Sequence, residues 1–298
     1  MINRRTLLAG APLFAGAPLF ASAAGLAATT ALVRPAAAQM VSGGSPPPPP
    51  LAGLPRWVRN AMPRPKLDGR PAITLVIDDM GVVHPGTNRV MALPGPLTLA
   101  WFPFARHLPA QVAESRDRGH ETILHMPMQA SGKSVAWTGP DPMTTTVSME
   151  ENLHRLQNAL DTVPDTVGLN NHMGSVATLS APLMDLVAAE AKKREMLVLD
   201  SVTIPHSKVY SQAALIGVPA ASRDIFIDWV PTPSIIKIQL AAIEAAAHKH
   251  GHVIAIGHPW PHTIEALEAW VPTLVPRGFA LWPLSATVAF RNEITLAV

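Results

Sequence analysis

From residue 71 onward, short apolar runs alternate with longer stretches of helical pattern, and this alternation constrains the fold more than any other feature. The runs are Ala72–Ile77, Leu97–Phe102, Glu121–His125, Asp165–Leu169, Met196–Leu199, Asp224–Ile227, His252–Ile256 and Phe279–Leu281. Between most of them the spacing predicts helices, over Leu108–Arg118, Ser148–Leu160, Ala181–Lys193, Ser234–His250 and Thr263–Val275. Ser148 followed by Glu151 makes a capping box at one helix start. Near-continuous apolar strands separated by helices point to a parallel sheet buried on both faces. Seven or eight such units fit a barrel, with an open sheet as the alternative. A single α/β domain over residues 71–298 is expected.

The first 70 residues read differently. Arg4-Arg5 precedes Thr6-Leu7-Leu8 and a long uncharged stretch to Val33, and Ala36-Ala37-Ala38 makes a small-residue cleavage site. Residues 1–38 therefore resemble a twin-arginine export leader, an ordinary secretory signal being the alternative. Export to the periplasm follows, with cleavage after Ala38. The Pro and Gly of the leader make a poor spanning helix, so no stable membrane span is expected once it is removed. Residues 39–70 form a Gly/Ser/Pro-rich linker, with Pro46 to Pro50 stiffening it as polyproline II.

Composition closes off several chemistries. The chain has no Cys, so disulfides, thiolate metal sites and thiol nucleophiles are absent, and any metal must sit on His, Asp, Glu or Asn. Three of the 23 basic residues and none of the 21 acidic ones precede residue 39. The remainder is close to neutral, which disfavours a nucleic-acid partner. Neither Ser175 nor Ser201 sits in a Gly-x-Ser-x-Gly elbow, so a serine hydrolase is disfavoured.

In parallel α/β folds, functional groups gather at the carboxyl ends of strands. Here Ile73–Ile77 runs into Asp78-Asp79, Thr122–Leu124 into His125, and Val167–Leu169 into Asn170-Asn171-His172. Leu197–Leu199 runs into Asp200, and Val253–Gly257 into His258. Adjacent strand residues point opposite ways, so Asp78 and Asp79 are expected to divide roles, one holding a metal and the other acting as base. Two His and a carboxylate make an open site for Zn²⁺ or a similar divalent ion. A lone His at a strand end is more often a hydrogen-bonded structural residue, but three together with an Asp pair point to function.

These motifs resemble the divergent polysaccharide deacetylase family, the YibQ-like proteins. The carriers are Val76-Ile77-Asp78-Asp79-Met80-Gly81, Gly119-His120-Glu121 with Leu124-His125-Met126-Pro127-Met128, and Asn170-Asn171-His172-Met173-Gly174-Ser175. Leu199-Asp200-Ser201, Arg223-Asp224-Ile225-Phe226-Ile227-Asp228 and Ala255-Ile256-Gly257-His258-Pro259 complete the series. The resemblance extends to NodB-type carbohydrate esterases and implies a distorted (β/α) barrel of about seven parallel strands. It implies Asp78 as catalytic base, Asp79 and His125 as metal ligands, and His258 as general acid. The second His of the NodB pair falls at Gln129, so His172 is the candidate third ligand if the fold brings its loop to the same rim. Arg223-Asp224 is the nearest match for a pair that orients the catalytic acid. Asn171, Asp200, Gln129 and Trp260 are candidates for the substrate rim or the layer behind it. The expected activity is metal-dependent removal of acetyl groups from an envelope or extracellular polysaccharide, with Zn²⁺ as cofactor. The alternative is a catalytically inactive glycan-binding or scaffold protein on the same fold.

Overall fold

The computed structural model describes residues 53–82, 84–132 and 137–295; the export-leader reading and the first part of the linker fall outside the described residues. Nine strands form one parallel sheet. They are β1 (Ala72–Met80), β2 (Thr98–Trp101), β3 (Glu121–Met128), β4 (Gly168–Met173), β5 (Leu197–Asp200), β6 (Ala220–Ser222), β7 (Ile225–Phe226), β8 (His252–Gly257) and β9 (Ala280–Leu281). The helices are α1 (Arg56–Arg59), α2 (His84–Met91), α3 (Leu108–Asp117), α4 (Met149–Thr162), α5 (Ala181–Lys193), α6 (Val209–Leu215), α7 (Pro233–His250), α8 (Pro261–Leu274) and α9 (Leu284–Arg291). Half of the capping box predicted at residue 148 is present: Ser148 Oγ accepts from Glu151 N at 3.1 Å, while the Glu151 carboxylate accepts from Arg155 Nε at 2.7 Å instead of reaching back to Ser148 N.

The strand order is β6-β5-β4-β3-β2-β1-β8-β7. Only Arg223 and Asp224 separate β6 from β7, the two ends of this path. Three peptide units span at most about 11 Å, so the sheet must curl until its edges lie side by side. This is the distorted (β/α) barrel, with eight strands on the path where about seven were expected. β1 is its hub. One edge pairs with β8 from Ala72↔His252 to Ile77↔Gly257, while the other is split between β9 at Ala72–Ile73 and β2 at Val76–Met80.

Side-chain alternation divides the core into two layers. Ile73, Leu75 and Ile77 of β1, Leu124 and Met126 of β3, and Val253 and Ala255 of β8 pack with the surrounding helices. Val76, Ala100, Ile123, Leu197, Leu199, Ile254 and Ile256 form a second cluster inside the curled sheet, with Leu284, Val288 and Ala289 of α9 and Trp57 and Val58 of α1. Trp57 is only 3% exposed and its N–H donates to Glu195 O, so the end of the linker packs on the domain.

The inward positions continue upward in steps of two. Val76 leads to Asp78, Ile123 to His125, Gly168 to Asn170 and His172, and Ile256 to His258. Polar residues thus form the top layer of the barrel interior. No described helix is long and apolar enough to cross a membrane.

Candidate metal centre

The site begins with an interruption in β1. By alternation Asp79 should point away from Asp78, toward the helices. Instead its φ is +57° and the register with β2 shifts between Ile77 and Met80. A left-handed residue inside a strand is a bulge that re-aims a side chain, at a cost of about 1–3 kcal/mol. The bulge turns Asp79 inward, so the expected opposite orientation of the two acids is corrected. Both approach His125 Nε2, Asp79 Oδ1 at 3.2 Å and Asp78 Oδ2 at 3.8 Å. Gly81 permits the turn that follows: its φ is +89°, and a Cβ there would lie 2.5 Å from the Ala105 Cβ.

β3 and β4 supply the remaining donors. Their register places His125 opposite Asn170 and Pro127 opposite His172. His172 Nδ1 lies 3.1 Å from His125 Nε2 and 3.2 Å from Asp79 Oδ1. The candidate ligand atoms of Asp79, His125 and His172 all fall within 4.8 Å of one another. Three strands far apart in sequence therefore bring their ends to one point.

The far side of each imidazole determines what faces that point. His172 Nε2 lies 2.9 Å from Trp137 O; a carbonyl only accepts, so this nitrogen carries the hydrogen and Nδ1 presents its lone pair inward. His125 Nδ1 lies 2.8 Å from Asn170 Oδ1. The Asn170 amide is oriented by donating to Asp78 Oδ1 at 2.8 Å and Ser201 Oγ at 3.1 Å, so its oxygen accepts from His125. His125 Nε2 is thereby left as an inward acceptor. Asp79 Oδ1 is buried and has no conventional hydrogen-bond partner. Two imidazole lone pairs and an orphaned carboxylate oxygen require positive charge between them. A proton on His125 answers part of that need: burial works to lower its pKa, but the charge of Asp78 and the contact with Asp79 outweigh this and raise it. A divalent cation answers all three acceptors at once, and a His₂Asp set with open positions suits one.

The other acidic and basic groups are tuned by the same layer. Burial raises the Asp78 carboxyl above the ordinary carboxylate range, and His125, His258 and Asn170 offset only part of that. Burial also acts to raise Asp79, yet its contacts with His125 and His172 prevail and hold it far below the usual range. His258 extends from the end of β8. Burial works to lower its pKa, but the hydrogen bond to Asp228 and the charges of Asp228, Asp79 and Asp78 push it up to about 9.

The partner of His258 corrects the sequence reading. Asp228, fully buried, places Oδ1 2.9 Å from His258 Nδ1, and its Oδ2 accepts from His258 N at 2.8 Å and Thr263 Oγ1 at 2.7 Å. The expected orienting pair does other work. Asp224 accepts from Ile254 N and Arg291. Arg223 donates to Ser201 O and Val202 O at 2.8 and 3.0 Å, and its guanidinium lies over Phe226. A carboxylate closing the Ile225-Phe226-Ile227-Asp228 segment was the available signal for Asp228. Asn170, which ties Asp78 to His125, was likewise not singled out; its place two residues below His172 on the inward face was the signal.

The rim candidates separate. Trp260 stacks on His258, ring centroids 4.6 Å apart and planes 13° from parallel. Asn171 braces the loop after β5, accepting from Ser201 N and donating to Met173 O. Asp200 is taken up by Val202 N, Ser207 Oγ and Tyr210 N, which organises the entry to α6. Gln129 does not stand in for a ligand: its side-chain oxygen accepts from Thr145 N and Oγ1 at 2.8 and 2.9 Å. Phe102 packs against both ligand imidazoles, at ring distances of 5.1 and 4.7 Å. A cavity of about 580 Å³ opens over the centre, with Asp79 and His172 in its wall.

Comparison with known proteins agrees with this architecture. A profile of the family described as divergent polysaccharide deacetylase matches residues 75–288. The uncharacterized protein YibQ of Escherichia coli K12 is 32% identical over 216 residues, covering 72% of this chain and 66% of YibQ. An uncharacterized protein of Haemophilus influenzae is 33% identical over 202 residues, covering 68% of this chain and 71% of its own. The chain thus spans about two thirds of the length of these relatives. A crystal structure of an uncharacterized protein from Agrobacterium tumefaciens C58 superposes with a TM-score of 0.75 at 23% identity, covering 79% of this chain and 96% of the other, and shares the fold.

Proposed function

The chain belongs to the divergent polysaccharide deacetylase family, and from that premise we propose that it is an exported, zinc-dependent hydrolase that deacylates a cell-envelope glycan. The observation that carries this reading is the convergence of Asp79, His125 and His172, with the buried Asp79 Oδ1 3.2 Å from a nitrogen of each imidazole. Zn²⁺ fits the donor set, and when bound it supplies Lewis-acid polarisation of the acyl carbonyl and acidifies a water molecule.

The chain's own residues supply the rest. Asp79, His125 and His172 hold the ion. Asn170 keeps the His125 proton on Nδ1 and bonds Asp78 on the other side. Asp78, with its raised pKa, takes the proton of the attacking water. His258, protonated and held by Asp228, returns a proton to the departing sugar nitrogen or oxygen. Base and acid are thus separate groups: the raised pKa of Asp78 makes its carboxylate a stronger base, and that of His258 keeps it protonated. The leader resembling a twin-arginine signal supports action in the periplasm.

The test is release of acetate from acetylated oligosaccharides by purified protein, with and without a chelator. Zinc-dependent release is expected, restored by adding zinc back. Full activity in metal-free protein contradicts the reading. Stable glycan binding with no turnover in any metal form supports the non-catalytic alternative.

A further inference from the structure

We propose that the cavity over the metal centre receives an acyl chain several carbons longer than acetyl, so that the enzyme's natural substrates are amphiphilic acylated sugars. This rests on the hydrolase reading and specifies its acyl group. The cavity walls are Val82, Phe102, Phe104, Trp137, Pro259 and Trp260, with Met173 and the ligands Asp79 and His172. Beyond Asp79 and His172, the side chains of the described lining residues offer only two indole N–H groups. At about 580 Å³ the space is in the range that takes a whole small-molecule ligand. A single acetyl methyl would leave most of it as water held against aromatic faces, which is unfavourable.

A sugar ring is the poorer occupant. Its hydroxyls need hydrogen-bond partners when they leave water, and this wall has almost none to give. One face of the Trp260 indole is already covered by His258, and Phe104 is stacked on Phe102 at 4.7 Å. Polar groups are found in a second groove of about 280 Å³ that shares Phe104, where Asp141, Glu151, His154, Arg155 and Asn158 stand beside Pro103, Met126 and Pro140. Phe104 therefore lines both the apolar cavity beside the candidate centre and a mixed groove whose polar side chains can partner sugar hydroxyls. The reaction is the same hydrolysis. Water's oxygen bonds to the acyl carbon, and the bond to the sugar nitrogen or oxygen breaks. The products are a free fatty acid and the sugar amine or alcohol, with protons passing through Asp78 and His258.

The experiment is calorimetric titration of the zinc-loaded protein with acetohydroxamate, hexanohydroxamate and octanohydroxamate, after zinc content has been measured. Each buried methylene is expected to tighten binding about three- to fourfold, so hexanohydroxamate should bind on the order of a hundredfold tighter than acetohydroxamate. In Phe104→Ser the hexano/aceto affinity ratio should fall by about tenfold or more. Acetyl- and hexanoyl-hydroxamates binding within threefold of each other to zinc-loaded wild type overturns the acyl-chain proposal and leaves the hydrolase reading intact. Absence of bound zinc overturns both.

Discussion

Two carboxylates sit at opposite ends of the barrel interior, Glu121 fully buried and Asp79 with one oxygen buried, and they are treated in opposite ways. Glu121 opens β3 at the bottom. It is fully buried and accepts from Ser285 N at 2.9 Å, from Ser285 Oγ, from Met62 N at 3.3 Å and, more distantly, from Thr98 Oγ1 at 3.4 Å. Four residues higher on the same inward face is His125, and beside it Asp79, whose buried oxygen faces His125 Nε2 and His172 Nδ1 at 3.2 Å each. A buried acid surrounded by donors holds a fold together, here by locking α9 and the end of the linker to β2 and β3. A carboxylate oxygen set between two imidazole nitrogens is a place for a proton or a cation.

The sharpest test of that contrast is at the proposed base. Asp78→Asn should keep zinc and lower kcat by about 10² to 10⁴-fold, since it removes proton transfer and leaves the ligands in place; steady-state kinetics with parallel metal analysis checks it. Next in size is the pair of acids themselves. Glu121→Ala strands several buried donors and should lower unfolding free energy by about 2–3 kcal/mol in urea, with zinc affinity little changed. Asp79→Asn should do the reverse, abolishing tight zinc binding while leaving the metal-free protein within about 1 kcal/mol of wild type. Asn accepts the left-handed conformation at residue 79 as readily as Asp does. If both variants lose stability equally, the distinction between the two acids fails.

A smaller effect is expected in the pH profile. The rate should rise as Asp78 loses its proton, at a pH above the ordinary carboxylate range because burial raises it. It should fall as His258 loses its own, near pH 9. Asp228→Asn removes the anion that holds His258 protonated, so the descending limb should move to lower pH while the ascending limb stays. The smallest effect is on metal affinity. Burial works to lower the pKa of His125, but the Asp78 and Asp79 charges outweigh it and raise the pKa above that of free imidazole. Zinc must therefore displace a proton, and its affinity should weaken steadily as pH drops through that pKa.

How much of this was legible in the sequence depends on the kind of signal. The apolar runs at residues 72–77 and 252–256 identify β1 and β8 because burial on both faces leaves a nearly unbroken pattern, while β3 shows only Ile123-Leu124 between polar neighbours. The residues just after them then mark Asp78, Asp79, His125 and His258. β6 is three residues of Ala and Ser, with no pattern to read, and it is one of the two strands that bring the sheet's edges together. The inward turn of Asp79 depends on one left-handed φ in a strand, which no period-two reading anticipates. Asp228 was passed over for Arg223-Asp224 because partnership with His258 is set by pairing between β7 and β8, a contact across thirty residues. The leader and the first part of the linker rest on the sequence alone.

The most direct test of the central claim is the zinc stoichiometry and affinity of wild type beside His172→Ala, measured by calorimetry on protein stripped of metal. His172 is the ligand supplied by β4 rather than by the motif around His125, so it reports whether the distant loops meet. The account predicts one tight zinc per wild-type chain and loss of tight binding in the variant. Zinc bound by His172→Ala with wild-type affinity contradicts it.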